Sequence, residues 1–453
     1  MAGDVNRREF LRLTAGTGAA WMIGASGVGR AGLSPTAEIL GEADDRIAKH
    51  RKGKTTLRVL GPGGQPLPAG TKLHIRQTRH AFLFGCNIFK LGRCRTPEDN
   101  AAYADRFAEL LNFATMPFYW WRYELQRTNS WTYPADSSDE RSEKVIRWCK
   151  SQGITTKGHP LAWNWYDPPW LTGTFEEVMR LQIERIARCV KRFKGNIDIW
   201  DVVNEATHYD REEAKRNAPK LTEAIAKTGI GEYVRRSFRA AREANPDATL
   251  IINDYRTDPT FEEKVISRLV DEDRKPLYDV IGIQSHMHSG YWGPARTWEV
   301  CERFAQYGKP LHFTETTLVS GPKSASGWTT TGEGEEQQAE RAAEFYTVLF
   351  SHPAVEAVTW WDFSDQGAWQ GAPAGLIRDD MSPKPVYERL ADRIKRRWWT
   401  QETAENGADG RAPIEGFLGD YEVAAEQGGR RLSGRFSLVK DATEPTEVRM
   451  VPA

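Results

Sequence analysis

Two glutamates in this chain end apolar runs that otherwise read as buried strands: IDIWDVVNE closes on Glu205 and KPLHFTE closes on Glu315. A core accepts an unpaired carboxylate only at large cost, so both runs are expected to finish at the mouth of a cleft. Two carboxyl groups flanking one bond are what glycoside hydrolysis commonly needs, one protonated to assist the leaving oxygen and one ionised to attack or to activate water. Placed close together they resist ionising at the same time, and that coupling supplies one acid and one base near neutral pH. Asn204 is suited to hydrogen-bond a sugar hydroxyl near the reacting carbon, and His286 to donate to Glu315 and hold its rotamer. Plain strand alternation would send Asn204 and Glu205 to opposite faces, so the strand is expected to bend or bulge at its end. His286-Met287-His288 also offers two metal-type ligands, but no third has suitable spacing, and neither a metal nor another cofactor is expected.

The elements that must position these residues are short strand-like runs alternating with helical patterns. The runs are AFLFGCN (81–87), NFATMPF (112–118), ITTKGHP (154–160), IDIWDVVNE (197–205), ATLIINDY (248–255), YDVIGIQSH (278–286), KPLHFTE (309–315) and EAVTWWD (356–362). Helix-compatible segments follow at roughly 97–111, 139–152, 175–193, 229–244, 259–274, 295–307, 333–350 and 384–397. Eight strand–helix units predict an α/β fold of the (β/α)₈ TIM-barrel type. An open doubly wound sheet would show a Gly-rich phosphate loop after its first strand, which Gly85-Cys86-Asn87 is not. In a barrel, the polar ends of these runs converge on one rim: Asn87, His159, Asn204 and Glu205, Asn253 and Asp254, Gln284 and His286, Glu315 and Asp362.

Both flanks read differently. Residues 55–77 hold two alternating runs, TLRVL and KLHIR, and residues 415–450 hold EGFLGDYEV, RLSGRFSLV and TEVRMV. Neither piece alone makes an adequate core, so segments 50–79 and 412–453 are expected to pair into one accessory β-sandwich beside a barrel spanning 80–399. At the start, Asn6-Arg7-Arg8-Glu9-Phe10-Leu11 followed by a Gly/Ala-rich apolar stretch resembles a twin-arginine export signal over 1–31, too weakly apolar for a membrane span. The expected product is an exported bacterial monomer, periplasmic or extracellular, with no membrane contact once the signal is removed. Cys86, Cys94, Cys149, Cys189 and Cys301 show no metal-type spacing, and a Cys86–Cys94 bridge stays open.

The chain carries 62 Lys and Arg against 62 Asp and Glu with no basic tract, which argues against nucleic acid and anionic membrane as partners. Its 17 tryptophans exceed what packing normally requires; flat rings with a polar N–H suit sugar faces as well as cores. Trp148 and Trp298, within helical patterns, read as core or rim.

The blocks WDVVNEA (200–206), GHPLAWN (158–164), INDY (252–255), IQSH (283–286), HFTET (312–316) and the tail Trp361, Asp365, Trp369 followed by SPKPVY (382–387) resemble glycoside hydrolase family 10, the endo-β-1,4-xylanase family. They run in order from about residue 80 to 397. The resemblance implies a retaining hydrolase in which Glu205 is the acid/base and Glu315 the nucleophile. It also implies that His159, Trp163, Asn204, Gln284, His286, Trp361 and Trp369 line the subsites for a polysaccharide or oligosaccharide. Two departures stand out. The family's second-strand Glu-Asn and Lys-Trp grip is replaced by Thr115-Met116-Pro117-Phe118-Tyr119-Trp120-Trp121-Arg122, which suggests either stacking by Trp120, Trp121 and Trp163, or Phe118 and Trp120 packed into the barrel wall with a neighbouring loop supplying the polar grip. Where the family has Asp two residues after the nucleophile, this chain has Thr317. Xylan or a related plant polysaccharide is the expected substrate, with a barrel β-glycosidase of another specificity (glucan or substituted xylan) or a non-catalytic carbohydrate-binding barrel as alternatives.

Overall fold

The computed structural model describes residues 34–124 and 139–453; the segment read as an export signal lies outside them. Eight parallel strands close into a barrel: Leu83–Asn87, Phe113–Pro117, Thr155–His159, Ile199–Asn204, Thr249–Asp254, Val280–Met287, Leu311–Leu318 and Val355–Trp360. The last strand pairs with both the seventh and the first, so no edge is left open. These are the eight runs anticipated from the sequence.

Both faces of each strand are covered, which is why the runs are apolar almost throughout. Leu83, Phe113, Ile199, Ile251, Val280 and Ala357 form their own apolar cluster inside the barrel, toward the N-terminal ends of the strands. Outward-facing Phe84, Trp200, Ile252, Ile281 and Val358 join the larger core beneath the helices. Above the inner apolar layer the barrel interior turns polar, and the site is built there.

The helices begin where capping chemistry starts them. Thr96 caps Pro97–Leu110, Thr331 caps Gly332–Ser351, and Thr174 with Glu177 forms a reciprocal capping box on Phe175–Arg192. The fifth helix departs from expectation. In place of one helix over 259–274 there is Pro259–Lys264 and a single 3₁₀ turn, Ile266–Arg268. The chain then closes a turn ahead of Pro276, with Arg274 left-handed and the Lys275 amide donating to Asp271 Oδ1 at 2.8 Å. Two short helices, Glu212–Asn217 and Pro219–Thr228, are inserted after the fourth strand and were not anticipated.

The accessory sandwich unites the two ends of the described chain. Lys52–Leu60 lies between Arg411–Phe417 and Thr446–Arg449, while Lys72–His80 lies between Gln401–Glu405 and Gly419–Gln427. Leu57, Val59, Leu73 and Ile75 from one end pack with Ile414, Tyr421, Val423 and Leu438 from the other. Gln401–Glu405 escaped the sequence reading because QETAE is polar except for Ala404 and forms an edge strand. All five cysteines are free thiols, so Cys86 and Cys94 are not bridged. Among the described residues no helix is long and apolar enough to cross a membrane.

Candidate active site

The fourth strand delivers two consecutive side chains to the same cleft. Its pairing with the fifth strand shifts register between Asp201 and Val203, and the chain leaves the strand at Glu205 with φ 53° and ψ 40°. A left-handed backbone costs a non-glycine residue about 1–3 kcal/mol and persists only where the surroundings hold it. Here the Glu205 amide donates to the Asn253 carbonyl at 2.9 Å. The bulge and the left-handed residue together defeat the alternation that would have separated Asn204 from Glu205.

An amide network then ties both carboxylates to one spot. Asn253 Nδ2 donates to Asn204 Oδ1 at 2.7 Å and to Glu315 Oε1 at 2.8 Å, while its Oδ1 accepts from the Thr314 hydroxyl at 2.6 Å. Gln284 Nε2 donates to Asn204 Oδ1 at 3.2 Å and to Glu205 Oε1 at 3.0 Å. Because Asn204 Oδ1 receives two donors, its orientation is settled, and Nδ2, 3.4 Å from Glu205 Oε1, keeps donor capacity for a ligand. Gly282 makes room for this network: a Cβ there would lie 2.6 Å from Asn253 Oδ1.

Glu315 is buried, and burial pushes its carboxyl up to about 7; His159 opposes this and the charge of Glu205 adds to it. His286 Nε2 lies 3.2 Å from Glu315 Oε2 and its Nδ1 lies 2.8 Å from the Thr317 hydroxyl. Burial lowers the His286 ring to about 4, so it is neutral at pH 7. An Nε2–H donating to the carboxylate leaves Nδ1 as acceptor, and Thr317 supplies the proton that it accepts. Below the pair sits Asp201, whose Oδ2 takes Lys157 Nζ at 2.6 Å and His159 Nδ1 at 2.8 Å. Burial alone would raise Asp201, but these two donors outweigh it and hold it below the usual carboxylate range.

The aromatic residues divide into wall and cleft. Trp163 Nε1 donates to Glu205 Oε2 at 3.2 Å and its ring stacks on Trp165 at 5.1 Å. Trp121 lies 5.8 Å from the Trp163 ring and 5.5 Å from Tyr166, with Tyr119 between Trp121 and His159. Trp361 is buried, edge-on to His159 and His286. Trp369 is 44% exposed and lies 4.5 Å from the His286 ring, the most open of these surfaces. Of the two readings of Trp120, stacking is corrected and the wall reading holds: its ring is buried against Trp170, with Nε1 donating to Glu124 Oε2 at 2.8 Å. Phe118 is likewise wall, packed on Trp200 and Tyr123.

Sequence reasoning missed Lys157, Asp201 and Arg211. Lys157 and Asp201 lie inside strand runs where only the inward face of a barrel makes them meet. Arg211 enters from the inserted segment: its Nη1 is 2.6 Å from Glu205 Oε2, and its guanidinium lies 4.9 Å from the Trp165 ring centroid and 5.9 Å from that of Trp163. Nothing in the spacing of HYDREE announces that contact.

The model of glycosyl hydrolase family 10 matches residues 121–393. Endo-1,4-beta-xylanase B of Thermotoga neapolitana is 30% identical over 57% of this chain and 76% of its own length. The anti-sigma-I factor RsgI6 of Acetivibrio thermocellus is 23% identical over 86% of this chain, which spans only 47% of that longer protein. Among solved structures, xylanase 10B from Thermotoga petrophila RKU-1 in complex with xylobiose is similar with a TM-score of 0.55 and 26% identity, covering 70% of this chain and 95% of that one.

Proposed function

The chain belongs to glycosyl hydrolase family 10, an enzyme of the endo-β-1,4-xylanase type, and from that premise we propose that it cleaves β-1,4-xylosidic bonds in xylan with retention of configuration. The observation that carries this reading is the amide network, in which Asn253 and Gln284 meet on Asn204 and hold Glu315 and Glu205 at its two ends.

Glu315 Oε attacks the anomeric carbon while Glu205 gives its proton to the glycosidic oxygen, so the C–O bond breaks and a glycosyl ester forms on Glu315. Glu205, now ionised, takes a proton from water as that water attacks the same carbon and releases Glu315, returning the original configuration. Asn204 Nδ2 binds a hydroxyl beside the reacting carbon, and the contact tightens as charge develops there. Neutral His286 orients Glu315 by donation without adding a positive charge that would weaken its attack. His159 and Gln284 fix the sugar on the nucleophile side, and Trp361, Trp369, Trp163 and Trp121 provide apolar faces along the cleft. The Arg7-Arg8 motif supports export before this activity is expressed.

The test is hydrolysis of linear xylo-oligosaccharides beside a panel of β-glucans, with the product anomer followed by NMR. The β-xylosyl product forming first, and its loss in Glu315→Ala, is the expected result. An α-product, or a preference for glucan, overturns the assignment.

A further inference from the structure

Glu205 must reach the glycosidic oxygen carrying a proton, yet in this structure its Oε2 is held by Arg211 Nη1 at 2.6 Å. An ion pair at that distance occupies the oxygen from which Glu205 would give its proton, so the acid is engaged until Arg211 lets go. The arrangement is partly buried, with the Arg211 side chain 18% exposed and that of Glu205 11% exposed, so solvent screens it only in part. Neutral sugar hydroxyls compete poorly with a carboxylate for a guanidinium.

Among the described residues the rest of Arg211 has no comparable partner. Its Nε and Nη2 are buried and meet no acceptor there, although a guanidinium carries five donors in a fork that fits a carboxylate with two parallel bonds. Its flat face lies over Trp165, which continues through Trp163 to the acid/base residue and through Tyr166, 42% exposed, to the open rim. A ring stacked on this strip with an acidic substituent would bring a carboxylate to the unused side of the fork.

We propose that Arg211 recognises a uronic acid substituent on the substrate, on the leaving-group side of the bond, and that this carboxylate draws Arg211 off Glu205 and frees Glu205 to act as the acid. This deepens the xylanase reading and rests on it: the scissile bond is the same, and the acidic branch both selects the substrate and completes the catalytic pair. No bond beyond those of hydrolysis forms or breaks; one ion pair is exchanged for another.

Three oligosaccharides of one backbone length test it: linear, glucuronic acid-branched, and the same branched compound with its carboxyl reduced to the alcohol. The native chain is expected to cleave the acidic substrate at least tenfold more efficiently than the reduced one, mainly through kcat. Arg211→Ala should abolish that preference, bringing the acidic and reduced substrates to equal efficiency, and Arg211→Lys should restore part of it. Calorimetry of the acidic and reduced ligands on Glu315→Ala, with and without Arg211→Ala, reads recognition apart from catalysis. Equal cleavage of acidic and reduced substrates overturns the proposal, as does an Arg211→Ala loss that is uniform across all three. Absence of hydrolysis on every xylose-based substrate overturns the functional reading instead, and the calorimetric preference then decides the role of Arg211.

Discussion

His286 Nδ1 lies 2.8 Å from the Thr317 hydroxyl, so the ring that faces Glu315 is oriented by a neutral group. The hydroxyl can give its proton to Nδ1, which leaves the Nε2 proton for Glu315. Thr317→Val removes that donor and leaves a buried ring nitrogen unsatisfied, a cost of about 1–3 kcal/mol. The tautomer that points a lone pair at Glu315 then becomes competitive. The expected outcome is a kcat/KM reduced roughly 5- to 150-fold, with little change in Tm. A Thr317→Val enzyme with native kcat/KM would show that His286 needs no such partner.

The carboxyl of Glu315, raised to about 7 from 4.5 by burial, makes a linked claim about stability. The folded state binds this proton more tightly than the unfolded state, so its stabilising effect is complete below about 4.5 and is lost as pH rises through about 7. Glu315→Gln removes the titration, and any fixed cost of the amide cancels when two pH values are compared. The unfolding free energy of Glu315→Gln minus that of the native chain should therefore grow from pH 5 to pH 8, by at most about 3 kcal/mol, read by urea titration at each pH. A difference that is flat or shrinks across this range contradicts the burial argument. In the native enzyme the same group should set the acid limb of kcat/KM near pH 7, activity rising with pH.

The strand ends were legible because eight parallel runs, each finishing on a polar residue, leave a closed barrel one place to collect them. Glu205, Glu315, Asn204, Gln284 and His286 met there for that reason. Tryptophans were harder. Trp120 and Trp121 are the same residue type in adjacent positions, and only the turn over Trp120–Tyr123 sends the first into the wall and the second beside Trp163. Arg211 was illegible for another reason: it lies in a polar insertion whose path depends on tertiary packing, and charged residues in such segments usually face water. The fifth helix failed on length because periodic apolar residues continue to Leu269 although the backbone has already tightened into a 3₁₀ turn.

The accessory sandwich should behave as part of the enzyme's own stability. Ile75 is 1% exposed on the strand that pairs with Gln401–Glu405 and Gly419–Gln427. Ile75→Ala is expected to lower the unfolding free energy by about 2–5 kcal/mol in urea titration. Deleting 401–453 removes the hydrogen-bonding partners of both Lys52–Leu60 and Lys72–His80 and uncovers Leu57, Val59 and Leu73. That truncation should lower Tm or abolish soluble expression. A truncated chain with native Tm would mean that the sandwich is energetically separate from the barrel.

The two neighbouring tryptophans of the second-strand segment make opposite predictions. Trp120 is buried on Trp170 and donates to Glu124, so Trp120→Ala opens a cavity and leaves a buried carboxylate without that donor. Its expected cost is about 3–5 kcal/mol of stability, read as a fall in Tm. Trp121 lies on the cleft side, beside Trp163 and Tyr166, where its removal exposes little core. Trp121→Ala should leave Tm close to native and reduce kcat/KM on linear xylo-oligosaccharides by roughly 5- to 30-fold, as expected for about 1–2 kcal/mol of lost stacking. The loss should grow with chain length until the sugar over Trp121 is present, and vanish for substrates too short to reach it. Equal kcat/KM for native and Trp121→Ala across the whole length series would assign Trp121 to the rim and leave sugar binding on this side to Trp163.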